Sequence, residues 1–321
     1  MDELLFHEYG TVLATDEENI RENSLTNKMV GIGKPFFRGR FGLSYQKDNG
    51  GKYVRMTDIK LLYMALSKIG WSKTGNNFDV KLSREEVCEL LNLENDHYAA
   101  FKLRRIGEHL ASVSWIKWDI RDKKGAVGSE DGFLVKGFGI EPGGKNIIVR
   151  LNDDYSFLFE TLTDNKQFLM MWVNDIYKMN SSAAYLLYED LRFHSDSRKN
   201  NTRYYSDEML KKVLRIPDKG TGSYMHRVKN KDYFDRNKFE TKVLIPATKD
   251  IAECKMLYLK PQELDVSFTE DGGIKSFKNQ VFFKRVKQNG KVVGYEFEYT
   301  IMTRRSQIKQ AEAQEDDNEE T

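Results

Sequence analysis

Cysteine, closely spaced histidines, long apolar runs and nucleotide-binding loops are scarce or missing in this chain of 321 residues, and each absence removes a class of function. Two cysteines, Cys88 and Cys254, are too few for a disulfide framework or a cysteine-based zinc site, which fits a reducing, intracellular setting. No apolar run approaches the ~20 residues of a transmembrane helix. The opening MDELLFHEYG is acidic where a secretory signal would be basic. The expectation is a soluble, cytoplasmic protein without a membrane partner.

Catalytic chemistry is equally thin. The five histidines, His7, His97, His109, His194 and His226, include no pair separated by one residue, the metal site that a DNA-nicking enzyme sets beside its tyrosine. The glycine-rich segment GIGKPFFRGRFG, Gly31 to Gly42, lacks the G-x-x-x-x-G-K-[ST] spacing and follows no clear strand, so it reads as a loop packing its aromatics on the body. Asp153-Asp154 and Asp316-Asp317 are carboxylate pairs in capping or tail positions, without neighbours that suggest a metal. No enzyme, cofactor or metal is expected.

What is present is a basic body between acidic ends. Residues 1–27 hold seven acids against Arg21, and residues 304–321 hold six against Arg304, Arg305 and Lys309. Those net charges of −6 and −3, set against +2 for the whole, leave +11 on residues 28–303. Such a distribution suits a polyanion partner. With 40% hydrophobic and 12% aromatic residues the chain can bury a sizeable core, and its length suits two domains.

Periodicity gives the elements. Ile59, Leu62, Tyr63, Leu66 and Ile69 mark a core helix over Thr57–Gly70. A second helix is expected over Leu82–Leu93, with Ser83 and Glu86 as a capping box, and a third over residues 95–113. In that third helix Ala99, Leu103, Ile106 and Leu110 face one way, with Lys102, Arg105 and His109 the other. His97 and His109 read as surface or phosphate-facing residues. Strands follow at Ser114–Asp122, Phe133–Ile140 and Lys145–Leu151, the last two joined by Glu141-Pro142-Gly143-Gly144, with Lys123, Lys124, Lys136 and Lys145 near this wing. A domain boundary is placed near Asn152.

The second half repeats the scheme. Asn180 or Ser181 caps a core helix carrying Ala184, Leu187, Tyr188 and Leu191; HSDSRKNNTR, His194–Arg203, reads as an exposed loop; and Ser206 caps a helix ending near Ile216 and Pro217. A long basic helix then gathers Phe239, Val243, Leu244, Ala247 and Ile251 on one face and Lys238, Thr241, Lys242, Thr248 and Lys249 on the other. Val281–Lys287 and Val292–Met302 form a hairpin across Asn289-Gly290. Laying Leu82-Ser83 over Tyr205-Ser206, an offset of 123, puts Glu85 on Glu208, Leu90 on Val213, Leu91 on Leu214 and Leu93 on Ile216 without a gap. One basic helix could be ordinary surface lysine. Two in the same helix-helix-hairpin setting favour tandem winged helices on duplex DNA.

The segments SWIKWDIRD, SSAAYLLYEDLR, YSDEMLKKVLRI and above all YFDRNKFETKVLIPATKDI resemble the theta-type plasmid replication initiators, the Rep proteins with two winged-helix domains. The similarity spans roughly residues 55–303. It implies binding to repeated origin sequences (iterons), help in opening an adjacent AT-rich region, recruitment of host replication proteins, repression of its own promoter, and a homodimer in equilibrium with monomer. It also implies that the second winged helix makes the main base contacts.

The expected architecture is α+β: an acidic and glycine-rich arm over 1–42, a first winged helix over 43–152, a second, DNA-binding one over 153–303, and an acidic disordered tail over 304–321. The expected DNA contacts are Arg236, Asn237, Lys238, Thr241, Lys242 and Lys249 in the second domain and Lys102, Arg104, Arg105 and His109 in the first. Lys284, Arg285, Lys287 and Lys291 would hold phosphate from the second wing. Lysines mostly position a protein, whereas arginine and amide side chains read bases, so Arg236 and Asn237 are the better candidates for specificity. Two other functions share the pattern: a winged-helix transcriptional repressor without a replication role, and a protein-interaction module.

Overall fold

The computed structural model describes residues 29–33, 54–68, 78–121, 127–155, 168–195, 200–214, 216, 225–228, 231–266 and 277–301. The acidic arm over 1–27, most of the glycine-rich segment and the tail over 304–321 lie outside them. The described residues combine helix and sheet in two winged helices.

Strand β1 (Met29–Gly33) occupies the start of the glycine-rich segment, where a loop was expected. Helix α1 (Met56–Lys68) begins where Asp58 reaches back to accept the Arg55 backbone N–H at 2.7 Å. It is buried on almost every side, with Ile59, Leu61, Leu62, Tyr63, Met64 and Ala65 at 0–1% exposure, because both halves of the molecule pack on it.

Strand β2 (Asp79–Ser83) follows, then α2 (Arg84–Leu90) and α3 (Ala99–Val113). Helix α2 starts two residues later than the expected Leu82. Val80 and Leu82 are buried between outward-facing Asp79 and Lys81, a period of two that makes these residues a strand. Ser83 sits at the N-cap but its side chain makes no capping bond, and Glu86 lies 3.9 Å from Lys68, so the expected capping box is not formed. Helix α3 starts four residues later than expected because Asp96 accepts the Tyr98 backbone N–H at 2.9 Å and holds a turn there.

Strands β3 (Trp115–Arg121) and β4 (Val127–Phe133) form a hairpin of their own. The sequence of β4, rich in glycine and acid, gave no strand signal. Strands β5 (Val135–Ile140) and β6 (Asn146–Leu151) complete a sheet of order β2-β6-β5, their turn passing through Gly143 and Gly144 at positive φ.

Beyond a short 3-10 turn at Asp153–Tyr155, β7 (Phe168–Trp172) pairs antiparallel with β1, and α4 (Val173–Lys178) leads to α5 (Ser182–Phe193). Ser181 caps α5 by accepting the Ala184 N–H at 3.1 Å. Strand β8 (Asn200–Ser206) replaces the end of the expected exposed loop; its partner strand β15 (Lys291–Ile301) holds it over Asn200–Ser206. Next come α6 (Asp207–Val213), a hairpin of β9 (Met225–Val228) and β10 (Lys231–Phe234), and one continuous helical rod: α7 (Arg236–Phe239), a π-turn at Glu240–Leu244, and α8 (Ile245–Ala252).

Strands β11 (Leu257–Leu259), β12 (Gln262–Val266), β13 (Phe277–Val281) and β14 (Lys284–Gln288) precede β15. β15 is the centre of the second sheet, with β8 on one edge and β14 and β11 sharing the other. Along it Tyr295, Phe297, Tyr299 and Ile301 are buried while Glu296, Glu298 and Thr300 are only partly covered, as the alternation predicts. Asn289 and Gly290 both take positive φ in the β14–β15 turn, as a two-residue hairpin loop needs.

The internal repeat is a repeat of structure. β2, α2, α3, β5 and β6 correspond to β8, α6, the long rod, β14 and β15. At the offset of 123, Leu82 and Tyr205, Val87 and Leu210, and Leu91 and Leu214 are buried pairwise. The helix ends match as well: the Leu93 N–H reaches Cys88 O at 2.8 Å, and the Ile216 N–H reaches Lys211 O at 2.9 Å. The buried side chains of both halves form one continuous core. Across it α1 meets α5, where the buried hydroxyls of Tyr63 and Tyr185 hydrogen-bond at 3.0 Å.

Candidate nucleic-acid interface

The long rod of the second half carries its polar residues on one side by construction. Asp235 caps it, accepting the Lys238 N–H at 3.0 Å. Phe239, Glu240, Leu244, Ala247, Thr248 and Ile251 point inward; Asn237, Lys238, Thr241, Lys242 and Lys249 are exposed along the opposite face. The π-turn lies directly before Pro246, which has no N–H to offer the helical ladder and whose ring crowds the carbonyl one turn back; the widened turn accommodates both.

Turned inward, Glu240 anchors the rod to the wing. Its carboxylate, 2% exposed, accepts Arg285 Nε at 3.1 Å from each oxygen and the Tyr295 hydroxyl at 2.8 Å. Arg236 donates to the same tyrosine oxygen at 3.3 Å and to Asp207 Oδ1 at 3.0 Å. Burial first, and then the Glu240 charge, push the Tyr295 hydroxyl far above its ordinary pKa, so it remains a neutral donor. A chain of five side chains, Asp207, Arg236, Tyr295, Glu240 and Arg285, thereby ties α6, the rod and the hairpin together.

This placement sorts the expected contacts. Arg236 and Arg285 are tied into that chain of contacts, Lys238 lies 3.6 Å from Asp235, Lys284 is paired with Glu298, and the Thr241 hydroxyl donates to Asn237 O at 2.8 Å. Lys242, Lys249, Lys287 and Lys291 are exposed and make no ion pair among the described residues, the last two flanking the hairpin turn. They are the cations most open to a phosphate backbone.

In the first half, α3 presents Arg104 and Arg105 outward, with the Arg105 guanidinium 5.8 Å from the centre of the Phe101 ring. Lys102 lies 3.5 Å from Asp96. His109 does not share their face: its ring turns inward, its side chain 11% exposed, and Nδ1 sits 2.9 Å from Asp58 Oδ2 on α1. Burial, partly offset by the Arg55 backbone N–H and His109, raises the Asp58 carboxyl pKa. On the first wing Lys136 pairs with Asp153 and Lys145 is exposed, while Lys123 and Lys124 lie outside the described residues.

The periodicity missed two things. Glu240 was assigned to no face, because a regular 3.6-residue helix drawn through Phe239 and Val243 does not anticipate an extra residue in the turn. Tyr98 and Phe101 were also passed over, although both fall off the stripe Ala99, Leu103, Ile106 and Leu110, a displacement that a helical projection makes visible. Among the described residues no group of three or more His, Cys, Asp or Glu is placed to hold a metal, and no helix is long and apolar enough to cross a membrane.

Comparison with known proteins gives the fold its relatives. The family model described as "Initiator Replication protein, WH1" matches residues 50–192. The structure is similar to a Pi initiator protein solved in complex with iteron DNA, with a TM-score of 0.55 and 14% identity over 87% of this chain and 99% of that one. That likeness is one of fold. Domains 2 and 3 of RctB align with a TM-score of 0.41 at 12% identity, over 77% of this chain and 82% of that one. No curated protein matches the chain in sequence.

Proposed function

Because residues 50–192 carry the WH1 domain of the initiator replication proteins, we infer that the chain is a plasmid replication initiator that binds repeated origin DNA through two winged helices. The observation that carries the inference is the repeat: the same strand, helix, helix and hairpin occur twice in one sheet order, and each second helix turns cationic side chains outward. Convex basic helices beside basic hairpins suit major grooves and their flanking phosphates.

The roles divide by chemistry. Lys242, Lys249, Lys287 and Lys291 position the second domain on phosphates, while Asn237 at the exposed start of the rod reads a base edge. Arg236 and Arg285 hold the rod and hairpin at a fixed angle, each side chain staying partly exposed. Arg104 and Arg105 serve the first domain. The protein works in the cytoplasm without catalysis: it bends or opens the neighbouring AT-rich duplex by binding energy, recruits host replication proteins, and exchanges between monomer and homodimer.

The test is footprinting of the DNA that flanks the reading frame, at two salt concentrations. Protection of evenly spaced repeats is the expected result. A single protected inverted repeat over a promoter would make the protein a repressor, and no protection at either salt would leave an interaction module. Lys242→Ala with Lys249→Ala should weaken binding to all sequences and reduce the slope of log affinity on log salt by about one unit per lost phosphate contact.

A further inference from the structure

The two outward-facing helices do not present the same chemistry. On the rod, the exposed face is amide, hydroxyl and lysine. On α3 it begins with two aromatic rings. Tyr98 is 57% and Phe101 61% exposed, the two most exposed large hydrophobic side chains among the described residues, and they lie three residues apart, on one face. Neither covers the core, which α3 reaches through Ala99, Leu103, Gly107 and Leu110. The His97 ring lies tilted against Tyr98 with ring centres 3.9 Å apart, and Arg105 lies over Phe101, so both aromatic rings have a neighbour while remaining open to solvent. Arg104 and Arg105 continue the same face one turn on.

We propose that α3 is a thymine reader: Phe101 and Tyr98 pack against the C5-methyl groups of thymines in the major groove, and Arg104 and Arg105 hold the phosphates or a guanine edge beside them. The thymine methyl is the apolar group that a duplex displays in that groove, and aromatic side chains are suited to it. The flanking arginines match the charge of DNA and oppose a basic or neutral protein partner. A convex helix also suits a groove better than unpaired bases, which are stacked on concave, sheet-like platforms. The proposal rests on the initiator function above and adds that its two domains read different base chemistry.

The experiment uses the full chain and a duplex containing one protected repeat, with each thymine replaced in turn by deoxyuridine, which keeps the base pairing and removes only the methyl group. One or two substitutions under the first winged helix should weaken binding about fourfold each, the value of burying one methyl-sized group. In Phe101→Ala that methyl dependence should vanish: thymine and deoxyuridine duplexes at those positions bind equally, while the dependence under the second domain persists. The exposure of Phe101 makes the variant safe for folding, and its circular dichroism should match the parent. Strong binding by the parent protein with no methyl dependence at any position overturns the proposal and leaves the initiator function standing. So does an equal loss for both duplexes in Phe101→Ala, or a larger loss on single-stranded oligothymidine than on duplex. Absence of binding to any duplex overturns both.

Discussion

Replacing Glu240 by alanine removes the carboxylate that joins the long rod to the β14–β15 hairpin. The Arg285 guanidinium and the Tyr295 hydroxyl both lose their acceptor, and the Glu240 site, 2% exposed, admits little water to replace it. Breaking a buried ion pair from one side costs roughly 3–5 kcal/mol. Arg285 is 29% exposed, so water recovers part of that and the lower end, about 3 kcal/mol, applies. At about 2–4 °C per kcal/mol for a domain of this size, thermal unfolding followed by circular dichroism should shift down by about 6–12 °C. Two controls distinguish the buried pair from a general loss. Asp207→Asn weakens the Arg236 pair, whose partners are 24% and 27% exposed, and should shift the melt by no more than about 1 kcal/mol's worth. Glu240→Ala combined with Arg285→Met removes both charges and should recover much of the loss, since the stranded guanidinium is the main penalty. A Glu240→Ala melt within about 2 °C of the parent would refute the Glu240 contacts as the anchor of the rod.

Other outcomes follow from single contacts. The hydrogen bond that His194 donates to the Asp190 carboxylate holds the His194 pKa above its ordinary value, while burial opposes; burial pushes Asp190 up, but His194, Tyr205 and Arg203 together outweigh it and leave the Asp190 pKa lowered. The His194 contribution is then full below about pH 6.5 and lost as pH rises through its raised value, and that of Asp190 is present above about pH 4 and lost on acidification. His194→Gln should therefore flatten the fall in melting temperature on the alkaline side of pH 6.5 and leave stability near pH 9 almost unchanged. Gly107→Ala places a methyl 2.1 Å from the Phe138 ring, which must move; a loss of about 1–3 kcal/mol in urea unfolding is expected, relieved when Phe138→Leu is added. Tyr63→Phe removes the hydroxyl that meets Tyr185 at 3.0 Å and should cost about 0.5–1.5 kcal/mol, the double change to phenylalanine costing less than the sum of the two single ones, a coupling that a double-mutant cycle measures.

The sequence carried the architecture and less of the site. The repeat was visible because Ser83 and Ser206 each end a strand and begin a helix, so the apolar spacing that follows is set by the same packing. β15 was visible because a half-wet strand alternates strictly. The 200–206 segment was not, because Asn, Thr and Arg on a strand look like a loop until the partner strand supplies the hydrogen bonds. At the interface, lysines on the exposed face could be counted from the helical period. Which arginines were already paired could not, because Glu240 and Asp207 meet Arg285 and Arg236 from 45 and 29 residues away, and a charge pattern along the chain holds no trace of such meetings.

Tyr63 and Tyr185 stand 122 residues apart, within one residue of the repeat spacing, on the core helix that precedes each repeat. A side chain meeting its own counterpart, hydroxyl against hydroxyl, is the pattern a twofold axis imposes on two identical subunits. The chain is in this sense a dimer with its subunits spliced together. Splicing makes the pairing independent of concentration, and it frees the halves from remaining identical. Each can then change its own surface chemistry, as the aromatic face of α3 and the lysine face of the rod have done, while the seam at the two tyrosines keeps the symmetry from which they parted.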